Sequence, residues 1–227
     1  AGVLVGYAGA GFDTTGANEH AMQADLKVAP EQRRQGIGRL LLTWVVERAR
    51  AHNRRLLMFE TSDRVPAGAL FAERIGATRG LENRISQLDL AELDRQLLRT
   101  WQERAAERAA DFELLVWDNV VPESDIDAFA DLCEVINSAP RGELELEDEQ
   151  VTPEKIRAWM QSMSAGGYCV WTLIARERNT GAMAGVTELF HTSARPTILD
   201  QGLTAVRPEY RNRGLGGRLG GRQPDRK

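Results

Sequence analysis

The sequence is poor in lysine, cysteine and histidine, and it has no long apolar run. Only Lys27, Lys155 and Lys227 among the 29 cationic residues are lysines, a bias more in keeping with coding composition than with chemistry. The two cysteines, Cys133 and Cys169, form neither a CxxC pair nor a Cys/His cluster. That excludes a disulfide framework and gives no zinc or other metal site, and both read as packed thiols. No apolar stretch approaches the roughly 18 to 20 residues of a membrane helix. Ala1 to Phe12 lacks the basic start and long apolar centre of a secretory signal, so a cytoplasmic protein without a membrane partner is expected. Excess charge of one sign is also missing: 29 basic against 33 acidic side chains leave a net of −4. No global field then draws the chain onto nucleic acid, and none is expected as a partner. Only the stretch Arg207 to Lys227, seven cations against Glu209 and Asp225, could carry such binding, and steep salt dependence would reveal it. Finally, there is no GxxxxGK[ST] and no GxGxxG followed by an acid some 20 residues on, which argues against a nucleotide hydrolase or a dinucleotide-binding turn.

What is present is enough for an ordinary core. The chain has 227 residues, 42% hydrophobic and 27% charged, sufficient for one or two domains. Strands are expected at 3–12, 21–28, 55–61 and 84–90, with an amphipathic helix over 37 to about 52 (Ile37, Leu40, Leu41, Trp44, Val45, Ala49) and a short one over 67–75 ended by Gly76. A charged, alanine-rich helix between Ala91 and Asp111, with Leu93, Leu97, Leu98 and Trp101 on one stripe, marks a linker. Beyond it the pattern predicts a strand at 112–121 and a helix capped by Ser124 with Ile126, Phe129, Leu132, Cys133 and Ile136 inward. A solvated acidic loop (143–150) and a helix started by Thr152 and Pro153 and stopped by Gly166 and Gly167 follow. Strands at 168–176, 182–191 and 197–206 complete the pattern. Strands and helices alternate in both halves, so the class is α/β or mixed α+β, in units 1–91 and 112–227 joined by 92–111. The first residues already read as a strand and the last are rich in Gly and Arg, as expected for a piece of a longer chain.

An internal repeat is the most informative feature. Val-Ala-Pro-Glu-Gln-Arg-Arg-Gln-Gly-Ile-Gly at 28–38 returns as Val-Arg-Pro-Glu-Tyr-Arg-Asn-Arg-Gly-Leu-Gly at 206–216, displaced by 178 residues with six of eleven positions identical. Such a segment, after a strand and before an amphipathic helix, sets backbone N–H groups in a tight turn at a helix N-terminus, which is an anion site. Gly36 and Gly38 remove Cβ atoms that would hold a diphosphate off, and Arg33 and Arg34 can add charge-assisted bonds. One copy alone would also suit an ordinary strand-to-helix turn with surface arginines; the duplication favours the anion site.

Arg33-x-x-Gly36-x-Gly38, and again Arg211-x-x-Gly214-x-Gly216, resembles the acetyl-CoA loop of the GCN5-related N-acetyltransferases (GNAT). Ala69 to Gly76 is similar to that family's later helix and closing glycine. Residues 3–90 look like the C-terminal two-thirds of one acetyltransferase unit and 112–216 like the N-terminal part of a second. The resemblance implies an acyl-CoA N-acyltransferase-like fold, a central mixed sheet flanked by helices in two partial units. It implies acetyl-CoA as co-substrate and an amine acceptor, small molecule or peptide. It also places the backbone of Leu26, Lys27 and Val28 beside the acetyl and pantetheine groups, and that of Arg33, Arg34, Gln35, Gly36, Ile37, Gly38 and Arg39 on the diphosphate. The second loop (Val206, Arg211, Gly214, Gly216) is followed by Gly217, Gly220, Gly221 and Pro224, so a long helix there is disfavoured and its site is expected to be damaged or incomplete.

The chemistry of proton transfer is thinly supplied. Where several members of that family carry a glutamate base, this chain has Met22, and Ala72 stands in place of their tyrosine acid. Asp25 and Glu19 are the nearest acids, and in the second copy Asp200 stands at the place of Met22, leaving Asp25 and Asp200 as the candidates for catalysis. His20, His52 and His191 are isolated, and Cys169 reads as a core thiol. Enzyme and non-catalytic CoA-binding or scaffolding module are therefore both open, as are self-association and a composite sheet built from both halves.

Overall fold

In a computed structural model the described residues are 2–14 and 16–220, so the basic stretch 221–227 lies outside them. Contacts divide the chain into two compact units, one of residues 1–84 with 140–148 and one of residues 85–139 with 149–227.

The first unit has the three-stranded sheet β1-β2-β3 (Gly6–Gly11, Ala21–Val28, Leu56–Phe59). β1 and β2 are antiparallel from Gly6 opposite Val28 to Gly11 opposite Gln23, and β3 joins parallel, Leu56 beside Ala21 and Phe59 beside Ala24. The parallel join requires a crossover, supplied by α1 (Ile37–Ala51), which packs on β1 and β2 and buries Val45 and Ala49. Gly6 permits that approach, because a Cβ there would meet Ile37 at 3.0 Å and Leu41 at 3.3 Å. α2 (Pro66–Arg74) follows, and the chain leaves it through left-handed Gly76. The strand expected at 84–90 does not form: Ile85 and Leu88 are 89% and 64% exposed, since alternation without a neighbouring strand to receive its hydrogen bonds stabilises nothing.

The acidic stretch is irregular as expected, yet part of it is held. The Asn18 side chain and the Glu147 backbone exchange N–H···O bonds at 3.5 and 2.8 Å. His20 Nε2 lies 2.6 Å from the Glu145 carbonyl, and Arg55 pairs with the Glu145 carboxylate at 3.1 Å. Residues 140–148 thus belong to the first unit, through backbone groups that charge counting does not reveal.

The second unit opens with α3 (Arg95–Arg108), whose N-cap Asp94 accepts from Gln96 and Leu97 N–H at 2.9 Å. Leu97 and Trp101 of its apolar stripe are exposed, and the helix instead buries Ala105. Then come β4 (Phe112–Asp118), α4 (Ile126–Cys133), α5 (Pro153–Ala165), β5 (Tyr168–Glu177), β6 (Met183–Thr192), β7 (Asp200–Val206) and α6 (Leu215–Gly220). Ser124 sits in a 3-10 turn and makes no cap, whereas Thr152 caps α5 by accepting from Lys155 N–H at 3.3 Å. Among the described residues β4 to β7 form one antiparallel sheet in chain order, without the composite sheet expected from both halves. One face packs Trp117, Ile174 and Val186 under Ile126, Phe129, Leu132 and Ile156; the other packs Phe112, Leu173, Ala175 and Ala184 with Leu215 and Leu219. Two cores on two faces of a sheet make this the better-buried unit.

Cys133 is buried, but Cys169 is exposed, contrary to the expectation of a core thiol. It is the second residue of β5, and burial along that strand is unbroken only from Thr172 to Ala175, with Val170 buried before it, so Cys169 lies at the sheet's rim. No helix among the described residues is long and apolar enough to cross a membrane.

Candidate functional site

The two repeated segments fold alike. Each leaves its strand through a residue near φ −53°, ψ +138° (Ala29, Arg207), makes one 3-10 turn (Pro30–Gln32, Pro208–Tyr210), and straightens at Arg33 and Arg211. Each then passes two left-handed residues, Arg34 (φ 66°) and Gly36 (φ 87°) in the first copy and Asn212 (φ 64°) and Gly214 (φ 82°) in the second. α1 starts at Ile37 and α6 at Leu215. The motif arginine braces the loop in both, Arg33 Nε donating to the Val28 carbonyl and Arg211 Nε to that of Val206, each at 3.2 Å. Its role here is to tie the loop to the strand end, which spacing alone does not reveal.

In the first copy Arg34, Gln35, Gly36 and Arg39 are exposed, Ile37 and Gly38 are half-buried, and a Cβ on Gly36 would meet nothing within 4 Å. The N–H groups of Ile37, Gly38 and Arg39 have no carbonyl one turn back, so they and the helix dipole favour an anion. The approach is a strip of free strand edge. β3 ends opposite Ala24, so among the described residues no strand pairs with the β3-side edge of β2 from Asp25 to Val28, and the Val28 carbonyl is taken by Arg33 Nε. Strand edge and loop together offer backbone donors and acceptors on adjoining segments.

The second loop follows the same backbone path over its described residues and leads into the six-residue α6. A cavity of about 450 Å³ opens on it, lined by Val206, Arg211, Gly214 and Gly216 together with Arg108 and Tyr210. Glycine is required at 214 for two reasons, the left-handed φ and the approach of α3, since a Cβ would lie 2.9 Å from that of Arg108.

Both candidate acids are ion-paired. Asp25, opposite Gly9, receives Lys27 Nζ at 2.7 Å, and the carboxylate holds that ammonium above the usual lysine range. Asp200 begins β7 and pairs with Arg195 at 2.7 Å. Met22 is buried under α1 and Ala72 lies on α2. His52 meets Phe12 and His191 meets Trp171 in tilted ring contacts, with centroids 4.7 and 5.2 Å apart. Among the described residues no three His, Cys, Asp or Glu side chains converge as metal ligands.

Glu188 was missed by pattern reading. It is a buried carboxylate on β6 that accepts from Leu203 N–H at 3.3 Å where the β6–β7 register slips, and burial pushes its pKa up. Its signal in the sequence was an acid inside the apolar run Ala182 to Phe190.

The fold is that of the acyl-CoA N-acyltransferase-like proteins. A tandem GNAT protein from the clavulanic acid biosynthesis pathway aligns with 26% identity and a TM-score of 0.64, covering 88% of this chain and 60% of the other. A GCN5-related N-acetyltransferase from Sphaerobacter thermophilus aligns at 18% identity and TM-score 0.55, covering 95% of this chain and 61% of that one. The chain thus spans about three-fifths of these solved relatives. No curated protein sequence matches it significantly. The profile of the acetyltransferase (GNAT) family matches residues 1–77, from before β1 to beyond α2.

Proposed function

We propose that the chain is an acetyl-CoA-dependent N-acetyltransferase that uses the first loop, the two repeats being tandem units of one enzyme. The observation that carries this is the free β2 edge running into an open helix-start loop inside the family-matched region. On this reading the diphosphate lies on the N–H groups of residues 33–39, and the pantetheine amides bond the edge at Leu26 to Val28. The acceptor is a small-molecule or peptide amine in the cytoplasm, with no nucleic acid or membrane involved. The unprotonated amine attacks the thioester carbon, the C–S bond breaks, CoA leaves as thiolate, and the amine proton passes to water or to Asp25. In the second copy Asp200 stands six residues before Val206, the place that Met22 holds before Val28 in the first. Met22 and Ala72 favour one other reading, a CoA-binding module without turnover.

Calorimetric titration with acetyl-CoA tests the site. Gly36 is a poor place for a probe because any side chain there is strained, whereas Gly38 is helical and a Cβ would make ordinary contact with Phe71 at 3.4 Å. The carboxylate introduced by Gly38→Glu, about 6 Å from a diphosphate charge, costs on the order of 2–3 kcal/mol at an effective dielectric near 20. Gly38→Glu should therefore weaken binding at least tenfold relative to Gly38→Gln. Equal affinities would remove the first loop as the site. Turnover in an amine screen separates the enzyme from the module.

A further inference from the structure

The repeat makes the outer face of the first sheet, opposite α1, comparable position by position with its counterpart in the second unit. Displaced by 178 residues, Asp25 and Lys27 correspond to Leu203 and Ala205. The strand registers, Gly6 opposite Val28 and Gly185 opposite Val206, make Tyr7 the counterpart of Val186. In the second unit Val186 is fully buried, and Leu203 and Ala205 pack on the same apolar cluster with α4. In the first unit the three positions carry a phenol, a carboxylate and an ammonium. Tyr7 is half exposed, and Lys27 and Asp25 are 74% and 52% exposed in their side chains. Sealing this face under apolar helices, as in the second unit, would strand the ion pair, so its chemistry suits a polar ligand.

Tyr7 has a specific posture. Its ring lies along β1 over Gly9, where a Cβ would run into the hydroxyl, and Gly9 is the cross-strand partner of Asp25. Tyr7 itself is opposite Lys27. Phenol, carboxylate and ammonium therefore share one face, the first on β1 and the other two on β2, the strand whose free edge at Leu26 to Val28 is assigned above to the acyl arm.

We infer that this face seats the acceptor and that the acceptor is a zwitterion, an amine that also carries a carboxylate, with its ammonium on Asp25, its carboxylate on Lys27 and its body against the Tyr7 ring. Such a ligand exchanges one ion pair for two, whereas an amine lacking the carboxylate leaves Lys27 without a partner. The inference rests on the acetyl-CoA reading of the first loop and deepens it.

The test uses the full chain with saturating acetyl-CoA, whose binding is measured first by calorimetry. Free amino acids, their methyl esters and the corresponding decarboxylated amines are then compared by CoA release and, with CoA bound, by saturation-transfer NMR. The expected result is a preference of about tenfold for free amino acids over both other series. Lys27→Ala should abolish the preference by weakening the amino acids, and Lys27→Glu should turn it toward diamines; both substitutions are at an exposed position, and the thermal unfolding midpoint of each variant is the folding control. Equal use of the three series, or no binding of any by a chain that binds acetyl-CoA, overturns the inference alone. Failure to bind acetyl-CoA overturns the donor reading on which it rests.

Discussion

Arg34 offers a perturbation in which backbone and charge pull in opposite directions. It holds φ 66° in the first loop, and its counterpart Asn212 holds φ 64° in the second. The left-handed region costs an L-residue roughly 1–2 kcal/mol, least for glycine, asparagine and aspartate. Arg34→Asn copies the solution already used 178 residues on and should recover about 0.5–1 kcal/mol. For a unit of this size that is a rise in Tm of about 2–6 °C in the first unit's transition. The same change removes an exposed cation from the loop assigned to the diphosphate. A charge-assisted bond there is worth roughly 1–2 kcal/mol net, so acetyl-CoA should bind about 5- to 30-fold more weakly. Arg34→Lys keeps both strain and charge and should move neither reading by much. Scanning calorimetry gives the first quantity and isothermal titration the second. A Tm that falls in the Asn variant would refute the strain argument, and an affinity within twofold of the parent would show that Arg34 does not meet the ligand.

Three further outcomes are expected. Burial holds the proton on Glu188 above the ordinary carboxylate range, so the folded state is favoured while it is protonated; that advantage is complete below about pH 4.5 and is lost as pH rises through the raised value. Glu188→Gln keeps an acceptor for Leu203 N–H, and its urea midpoint should exceed the parent's at pH 8 and converge with it near pH 4; coincident midpoints at pH 8 would contradict the assignment. With a disulfide reagent at pH 8, exposed Cys169 should react at once, whereas buried Cys133, its thiol pushed up to about 12 mainly by burial, should react only on unfolding, so a fast phase that survives Cys169→Ser would be inconsistent with these positions. Thr152→Ala removes the cap of α5 and should cost about 1 kcal/mol in denaturant unfolding while Thr152→Ser costs little; indistinguishable Ala and Ser variants would argue against the capping bond.

The local sequence by itself determined the pieces whose causes are local. α1 begins one residue after Gly36, and α5 lies between Thr152-Pro153 and Gly166, because capping groups, fixed φ and left-handed glycines act within a few residues. The repeated loop was legible for the same reason, and twice, since each copy carries its own turn chemistry. Tertiary structure decided whatever depends on a partner distant in the chain. Ile85 to Leu90 alternates like a strand but has no neighbour to pair with, and Cys169 has strand-core surroundings in sequence yet lies at a rim. Asn18, His20 and Arg55 bind residues 145 and 147 through contacts spanning 90 or more positions. The free edge of β2 exists because β3 stops at Phe59, and the polar outer face beside it gains meaning from registers that put Tyr7, Gly9, Asp25 and Lys27 side by side. Periodicity states which face of an element is apolar; only pairing and packing settle what that face meets.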